Sequence, residues 1–112
     1  MIIGGHMKAY AVAHIREVRM GPPIVEYLEK IDMTLRPFGG RFIVHGGEKT
    51  LLEGTWPGDL IVIEFPRRDA AMSWYHSDAY RAILPLRTEN SVADTIIVTG
   101  VDESHKATDI LA

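Results

Sequence analysis

The chain contains no cysteine, which excludes disulfides, thiolate metal sites and a cysteine nucleophile and is compatible with a reducing compartment. We therefore expect a cytoplasmic protein. An excess of basic residues is missing too. Twelve Lys and Arg stand against fifteen Asp and Glu, a formal charge of -3, so no positive surplus exists to neutralise nucleic-acid phosphates. The charges form no run of one sign that would suggest a tail or a membrane patch. No apolar stretch approaches the roughly 20 residues of a membrane span. Chemical signatures are also lacking. There is no H-E-x-x-H, no G-x-G-x-x-G or Walker loop, and no G-x-S-x-G elbow. Neither a metal nor a cofactor is expected. Gly39-Gly40 and Gly46-Gly47 read as turns.

What remains is one domain's worth of chain. It has 112 residues, 46% hydrophobic and 24% charged, in the ordinary range for a globular domain with one core. Met1 to His6 reads MIIGGH and is expected to be an expression leader, the domain running over 7–102 and a tail over 103–112. Ala9, Ala11, Ala13 and Ile15 alternate with Tyr10, Val12, His14 and Arg16, a period of two that predicts a strand. Its small face could lie close under a helix. Gly21-Pro22-Pro23 opens a helix in which Ile24, Tyr27, Leu28, Ile31 and Leu35 recur at helical spacing. Arg41 to His45 predicts a second strand, with Leu51 to Thr55 as an edge extension. Leu60 to Phe65, almost wholly apolar, predicts a central strand buried on both faces. Ala70 to His76 predicts a helix with Ala71, Trp74 and Tyr75 inward. Ser77 caps a further short helix that Pro85 limits, and Ala93 to Gly100 forms the last strand. The order β-α-β-β-α-β predicts an α+β, ferredoxin-like fold with an antiparallel sheet. Helices cover one face of such a sheet, and a second copy of the chain is expected to cover the other.

Several segments in register resemble a known family. They are Gly39 to Gly47, Glu53-Gly54, Glu64-Phe65-Pro66, Ala71 to Tyr80 and Leu86-Arg87. Over roughly 8–101 the chain resembles domain-of-unknown-function family 1330. The resemblance implies a dimeric α/β barrel, the fold of antibiotic-synthesis monooxygenases and related small barrels. Two positions depart from the family pattern. His45 stands where arginine is common, and Arg67 stands where a serine or aspartate would cap a helix.

Seven side chains are candidates for a site. Arg41, opening a strand, offers a planar fork for a carboxylate or phosphate, or an ion pair to Glu53 or Glu64. Glu64 is the one candidate for catalysis: a general base if desolvated, a partner for Arg41 or Arg87 otherwise. Trp74, Ser77 and Tyr80 form a polar-aromatic cluster, either a cleft wall or core with a capping serine. Tyr80, Leu84 and Arg87 fall on one helical stripe. His45 shares a face with His14 if their strands are neighbours, but no third ligand at motif spacing supports a metal. Together these residues suggest a homodimer binding a small anionic or aromatic molecule between the sheet and the second helical region. The alternatives are a structural or interaction module without turnover, or a cofactor-free monooxygenase-like or isomerase-like enzyme.

Overall fold

Two-residue alternation in the first strand and helical spacing after Pro22 act as the sequence suggests, and they build one sheet with helices on one side. The computed structural model describes residues 7–111; the leader expected at Met1 to His6 lies outside the described residues. In chain order the elements are β1 (Ala9–Val18), α1 (Pro22–Leu35), β2 (Arg41–His45), β3 (Asp59–Phe65), α2 (Arg68–Tyr75), α3 (Asp78–Thr88) and β4 (Ser91–Thr99). A short 3₁₀ turn, Arg36–Phe38, follows α1, and another, Ala107–Leu111, ends the described tail. The sheet order is β2-β3-β1-β4 with every pairing antiparallel. This is the ferredoxin-like arrangement.

Register decides which side chains face the helices. Ala9, Ala11 and Ala13 of β1 stand opposite Phe65, Ile63 and Ile61 of β3. They stand opposite Thr99, Ile97 and Thr95 of β4. Helix-side packing buries Ala9, Ile63 and Phe65 together with Tyr27, Ile31, Leu35, Ala71, Trp74, Tyr80 and Ile83. The opposite face carries Tyr10, Val12 and His14 beside Glu64, Val62 and Leu60, with Val98, Ile96 and Asp94 on the other flank. Among the described residues no helix or strand covers it, and Trp56 stacks on His14 at one end. Ile96 is 59% exposed and Val98 43%, so β3 is central but is buried on one face, not on both.

Two local expectations are corrected, on Leu51 to Thr55 and on Pro85. Leu51 to Thr55 forms no strand: 46–58 is an irregular connection that Gly46 and Gly47, both at positive φ, turn away from the sheet edge. Pro85 lies inside α3, which runs on to Thr88. Proline forfeits one hydrogen bond there, and burial of Tyr80 and Ile83 holds the helix across it. Arg67 sits at the start of α2 with extended backbone and makes no capping bond. It pairs with Asp69 at 2.6 Å instead.

The long connection is pressed onto β1 at one point. Gly58 has φ of 80°, and a Cβ there would sit 1.8 Å from the Ile15 carbonyl oxygen. Backbone meets backbone, so neither side can yield. We predict that Gly58→Ala destabilises the fold by about 2 kcal/mol or more. Gly54, at φ 74° with open space around it, should cost about 1 kcal/mol on the same change. Calorimetric melting of the two variants checks the difference.

Candidate functional site

Alanine shapes the site. Ala11 and Ala13 occupy the middle of the helix-facing side of β1, where larger residues would fill the layer between sheet and helix. The helix that comes close to this small face is α2. α1 packs chiefly on α3 and is tied sideways to the other helices. Tyr27 and Tyr80 share a hydroxyl–hydroxyl bond of 2.8 Å. The Trp74 indole Nε1–H donates to Thr34 Oγ1 at 3.0 Å, and that hydroxyl donates to the Ile31 carbonyl at 2.7 Å. The space left beneath α1 is a cavity of about 620 Å³, with Ala11, Ala13, Ile61 and Ile63 on its sheet side and Ile24, Tyr27 and Ile31 on its helix side.

One part of this apolar wall is polar. Tyr27, Tyr80 and Arg87 all line the cavity. The Arg87 guanidinium carbon lies 5.9 Å from the centre of the Tyr27 ring, within cation–π range. Burial pushes the Tyr27 phenol well above its ordinary range; Tyr80 adds to this, and Arg87 pulls partly back. Burial works against the Arg87 cation, but Tyr80 and Tyr27 outweigh it and raise its pKa. At neutral pH the group therefore holds one cation beside the protonated Tyr27 phenol. Among the described residues Arg87 has no carboxylate partner. Asp59, the carboxylate on the cavity wall, is held by Lys49 at 2.9 Å.

The expected site residues separate into groups. Tyr80, Trp74, Arg87 and His45 line the cavity, His45 as an exposed residue stacked on Phe42 with ring centres 4.4 Å apart. Trp74 is 3% exposed, and its indole N–H is taken by Thr34. Ser77 is the N-cap of α3: its Oγ accepts from the Tyr80 N–H at 3.3 Å and donates to the Trp74 carbonyl at 2.7 Å. Arg41 and Glu64 are not brought to the cavity. They pair across β2 and β3 on the uncovered face, with Arg41 Nη2 3.2 Å and Lys8 Nζ 3.4 Å from Glu64 Oε1. Their expected place beside Arg87 is thus corrected by strand register. His14 and His45 do not share a face either: across β3 they stand opposite Leu60 and Ile61, successive residues that point to opposite sides of the sheet. His14 stacks on Trp56 at 4.0 Å and its Nε2–H donates to the Pro57 carbonyl at 2.7 Å. Among the described residues no three His, Asp or Glu side chains are grouped to hold a metal, and no helix is long and apolar enough to cross a membrane.

Sequence reasoning missed Tyr27, which it read as one more apolar position of α1. The available signal was the hydroxyl: a phenol on a buried stripe needs a polar partner. Arg68 was missed as well. It lines the cavity and donates from Nη1 to the Ile97 carbonyl at 3.3 Å.

Comparison with known proteins agrees with this architecture. The family model for the domain of unknown function DUF1330 matches residues 8–101, and the chain belongs to that family. None of the curated proteins is similar enough to be matched. A crystal structure of a protein of unknown function from Rhodopseudomonas palustris is similar at 14% identity. It has a TM-score of 0.65, with 87% of this chain and 85% of that one covered. A "putative antibiotic biosynthesis monooxygenase" from Nitrosomonas europaea is similar at 14% identity and TM-score 0.57, with 94% and 100% covered. A conserved protein from Methanosarcina mazei Go1 is similar at 16% identity and TM-score 0.56, with 88% and 95% covered. At these identities the likeness is one of fold.

The Tyr27 phenol gives stability a pH dependence of definite sign. In the unfolded chain it loses its proton near pH ~10; in the folded protein it keeps the proton to higher pH. Its contribution is therefore complete below pH ~10 and is lost as pH rises from there toward the folded value. Urea unfolding at about pH 8 and about pH 11 should show a fall in stability that is smaller in Tyr27→Phe. At the lower pH that variant should lose about 1 kcal/mol, the net worth of its hydrogen bond.

Proposed function

We propose that this DUF1330 chain is a cytoplasmic homodimer in which each protomer binds a small anionic or aromatic molecule in the cavity beneath α1. The observation that carries the reading is Arg87. A half-buried guanidinium on a cavity wall, without a carboxylate partner among the described residues, is an incomplete electrostatic arrangement that an anion completes. A closed structural network fits Trp74 and Ser77, whose polar groups are satisfied within the protein. Arg87 leans on the two tyrosines but has no counter-charge among the described residues. In this reading Tyr80 and Arg87 contact the ligand, His45 stands at the wall, and Trp74 and Ser77 position Tyr80.

The uncovered sheet face supports the dimer. Val12, Leu60, Val62, Ile96 and Val98 form an apolar surface that no helix or strand covers among the described residues, the kind of surface that marks an interface. The radius of gyration, 15.7 Å, exceeds the roughly 13 Å of a compact domain of about this length. A second copy placed sheet to sheet across a twofold axis would bury that face. It would also enclose Arg41, Glu64 and Lys8, making that cluster a feature of the interface.

Turnover is a second reading. His45 and His76 line the same cavity, so side chains able to move a proton stand on its wall. The fold shared with the Nitrosomonas europaea protein is compatible with cofactor-free oxygen chemistry or isomerisation of an activated ring.

A thermal-shift screen against small aromatic acids, phenols, quinones and enol lactones tests the binding reading. A ligand at ~100 times its dissociation constant adds about 2.7 kcal/mol. Ala13→Leu, which fills the cavity, should abolish every hit while leaving the fold at least as stable. Arg87→Ala should weaken hits at a cost of no more than about 1 kcal/mol in stability, the value of its contact with the Tyr27 ring; a loss of several kcal/mol would favour the closed network. Light scattering should give twice the 12.5 kDa chain mass, and Val12→Asp should return the protein to one chain. A wild-type protein of single-chain mass at micromolar concentration would refute the dimer.

A further inference from the structure

The polar end of the cavity has more hydrogen-bond donors than acceptors, and the surplus identifies the ligand group. The two phenols own two protons and use one in their mutual 2.8 Å bond. Among the described residues the other O–H has no protein acceptor. Arg87 adds a guanidinium, which donates only, and the wall's carboxylate, Asp59, is committed to Lys49. An ammonium or a second hydroxyl donor would deepen the imbalance. A neutral carbonyl would accept hydrogen bonds at one oxygen and leave the charge uncompensated. Arg68, the other arginine on the wall, is exposed and donates to the Ile97 carbonyl, so the half-buried charge to be matched is that of Arg87, and a phosphate dianion needs more positive charge than that one guanidinium supplies. A carboxylate fits: its two oxygens accept from the planar fork of Arg87 and from the remaining phenol O–H, and its single charge balances the site.

The rest of the cavity specifies what the carboxylate is attached to. Ala11 and Ala13, flanked by Ile61, Ile63 and Ile97, make a shallow apolar floor. That floor suits a flat ring better than a polar or branched chain.

We propose that the cavity is an aromatic-monocarboxylate site in which Arg87 and the Tyr27–Tyr80 pair hold the carboxylate and the β1 alanines seat the ring. Tyr27 is thereby a specificity residue, not merely a helix anchor. This assignment rests on the binding reading above and narrows it to one ligand class.

Matched acids and amides separate the two. The probes are benzoate, trans-cinnamate, phenylacetate and indole-3-acetate, each set against its primary amide, titrated into wild-type protein and followed by calorimetry and amide NMR shifts. At least one acid should bind, with its amide tenfold or more weaker, and shifts should centre on Ala11, Ala13 and Tyr27. Arg87→Gln should erase the preference for acid over amide. Tyr27→Phe should weaken the acid several-fold and leave the amide nearly unchanged. If amides or neutral phenols bind as well as the acids, the carboxylate assignment falls and the cavity reading stands. If no probe of either kind binds, both fall. The wild-type comparison decides the matter even where a variant fails to fold.

Discussion

The layer between β1 and α1 is the constraint on which the rest of this molecule depends. A helix crossing a sheet ordinarily gains its stability from large side chains filling the interface. Here the middle of β1 presents Ala11 and Ala13 to α1, and the gap they leave is not refilled from above. The helix is held from the side, by the Tyr27–Tyr80 hydroxyl bond to α3 and the Thr34–Trp74 bond to α2. Buried hydrogen bonds are modest in net worth but costly to break. Placing them at the helix–helix contacts fixes α1 without requiring contact with the sheet floor. Ile31, Leu35, Phe65 and Ile83 complete the packing around these ties. The hollow is thus a consequence of how the core is built, not a packing fault at its edge.

A second consequence follows from strand periodicity. Along β1 successive residues serve opposite faces, so alanine at 11 and 13 builds the cavity while Val12 and His14 build the uncovered face. The neighbouring strands keep this separation, with Ile61 and Ile63 on one side and Val62 and Glu64 on the other. Two charged groups of the chain are thereby kept apart. Glu64 stands between Lys8 and Arg41, one carboxylate shared by two cations that keep their contact with water. Arg87 stands on the cavity side, next to neutral phenols. Dimerisation through the open face, as proposed, would stabilise the sheet that floors the cavity without occluding it.

The element order and sheet topology were legible from the sequence because their signals are local. Alternation in Ala9 to Arg16, helical spacing from Ile24 to Leu35 and the apolar run Leu60 to Phe65 each depend on a few neighbouring residues. Errors arose where tertiary context decides. Pro85 looks like a stop but lies within a helix held by Tyr80 and Ile83. Arg41 and Glu64 carry the right chemistry for a site, but only register reveals that they face away from Arg87. Ser77 was legible in both of its readings, and its two hydrogen bonds mark the capping one. The small face of β1 was correctly seen as small. Whether small means close packing or an open space depends on what suspends the helix above it, and that involves Tyr80 and Trp74, some forty to fifty residues beyond α1. Tyr27 escaped notice for the same reason: a hydroxyl within an apolar stripe acquires meaning only when its partner is known.

Function and stability make opposite demands on Arg87. A protein selected for stability alone gains by giving a half-buried guanidinium a carboxylate or by replacing it with an apolar side chain. The chain does neither, although acidic residues are plentiful and Asp59 on the same wall is paired with Lys49. The neighbouring phenols supply hydrogen-bonding capacity and a ring face without supplying charge, which keeps the cation's field available within the cavity. On the binding reading proposed above, unspent polarity of this kind next to an alanine-lined hollow serves a ligand, since sites for binding are where proteins accept local imbalance. The same reasoning separates Arg87 from Arg41. Both are arginines on a sheet-centred fold, yet Arg41 has its carboxylate and Arg87 has none among the described residues.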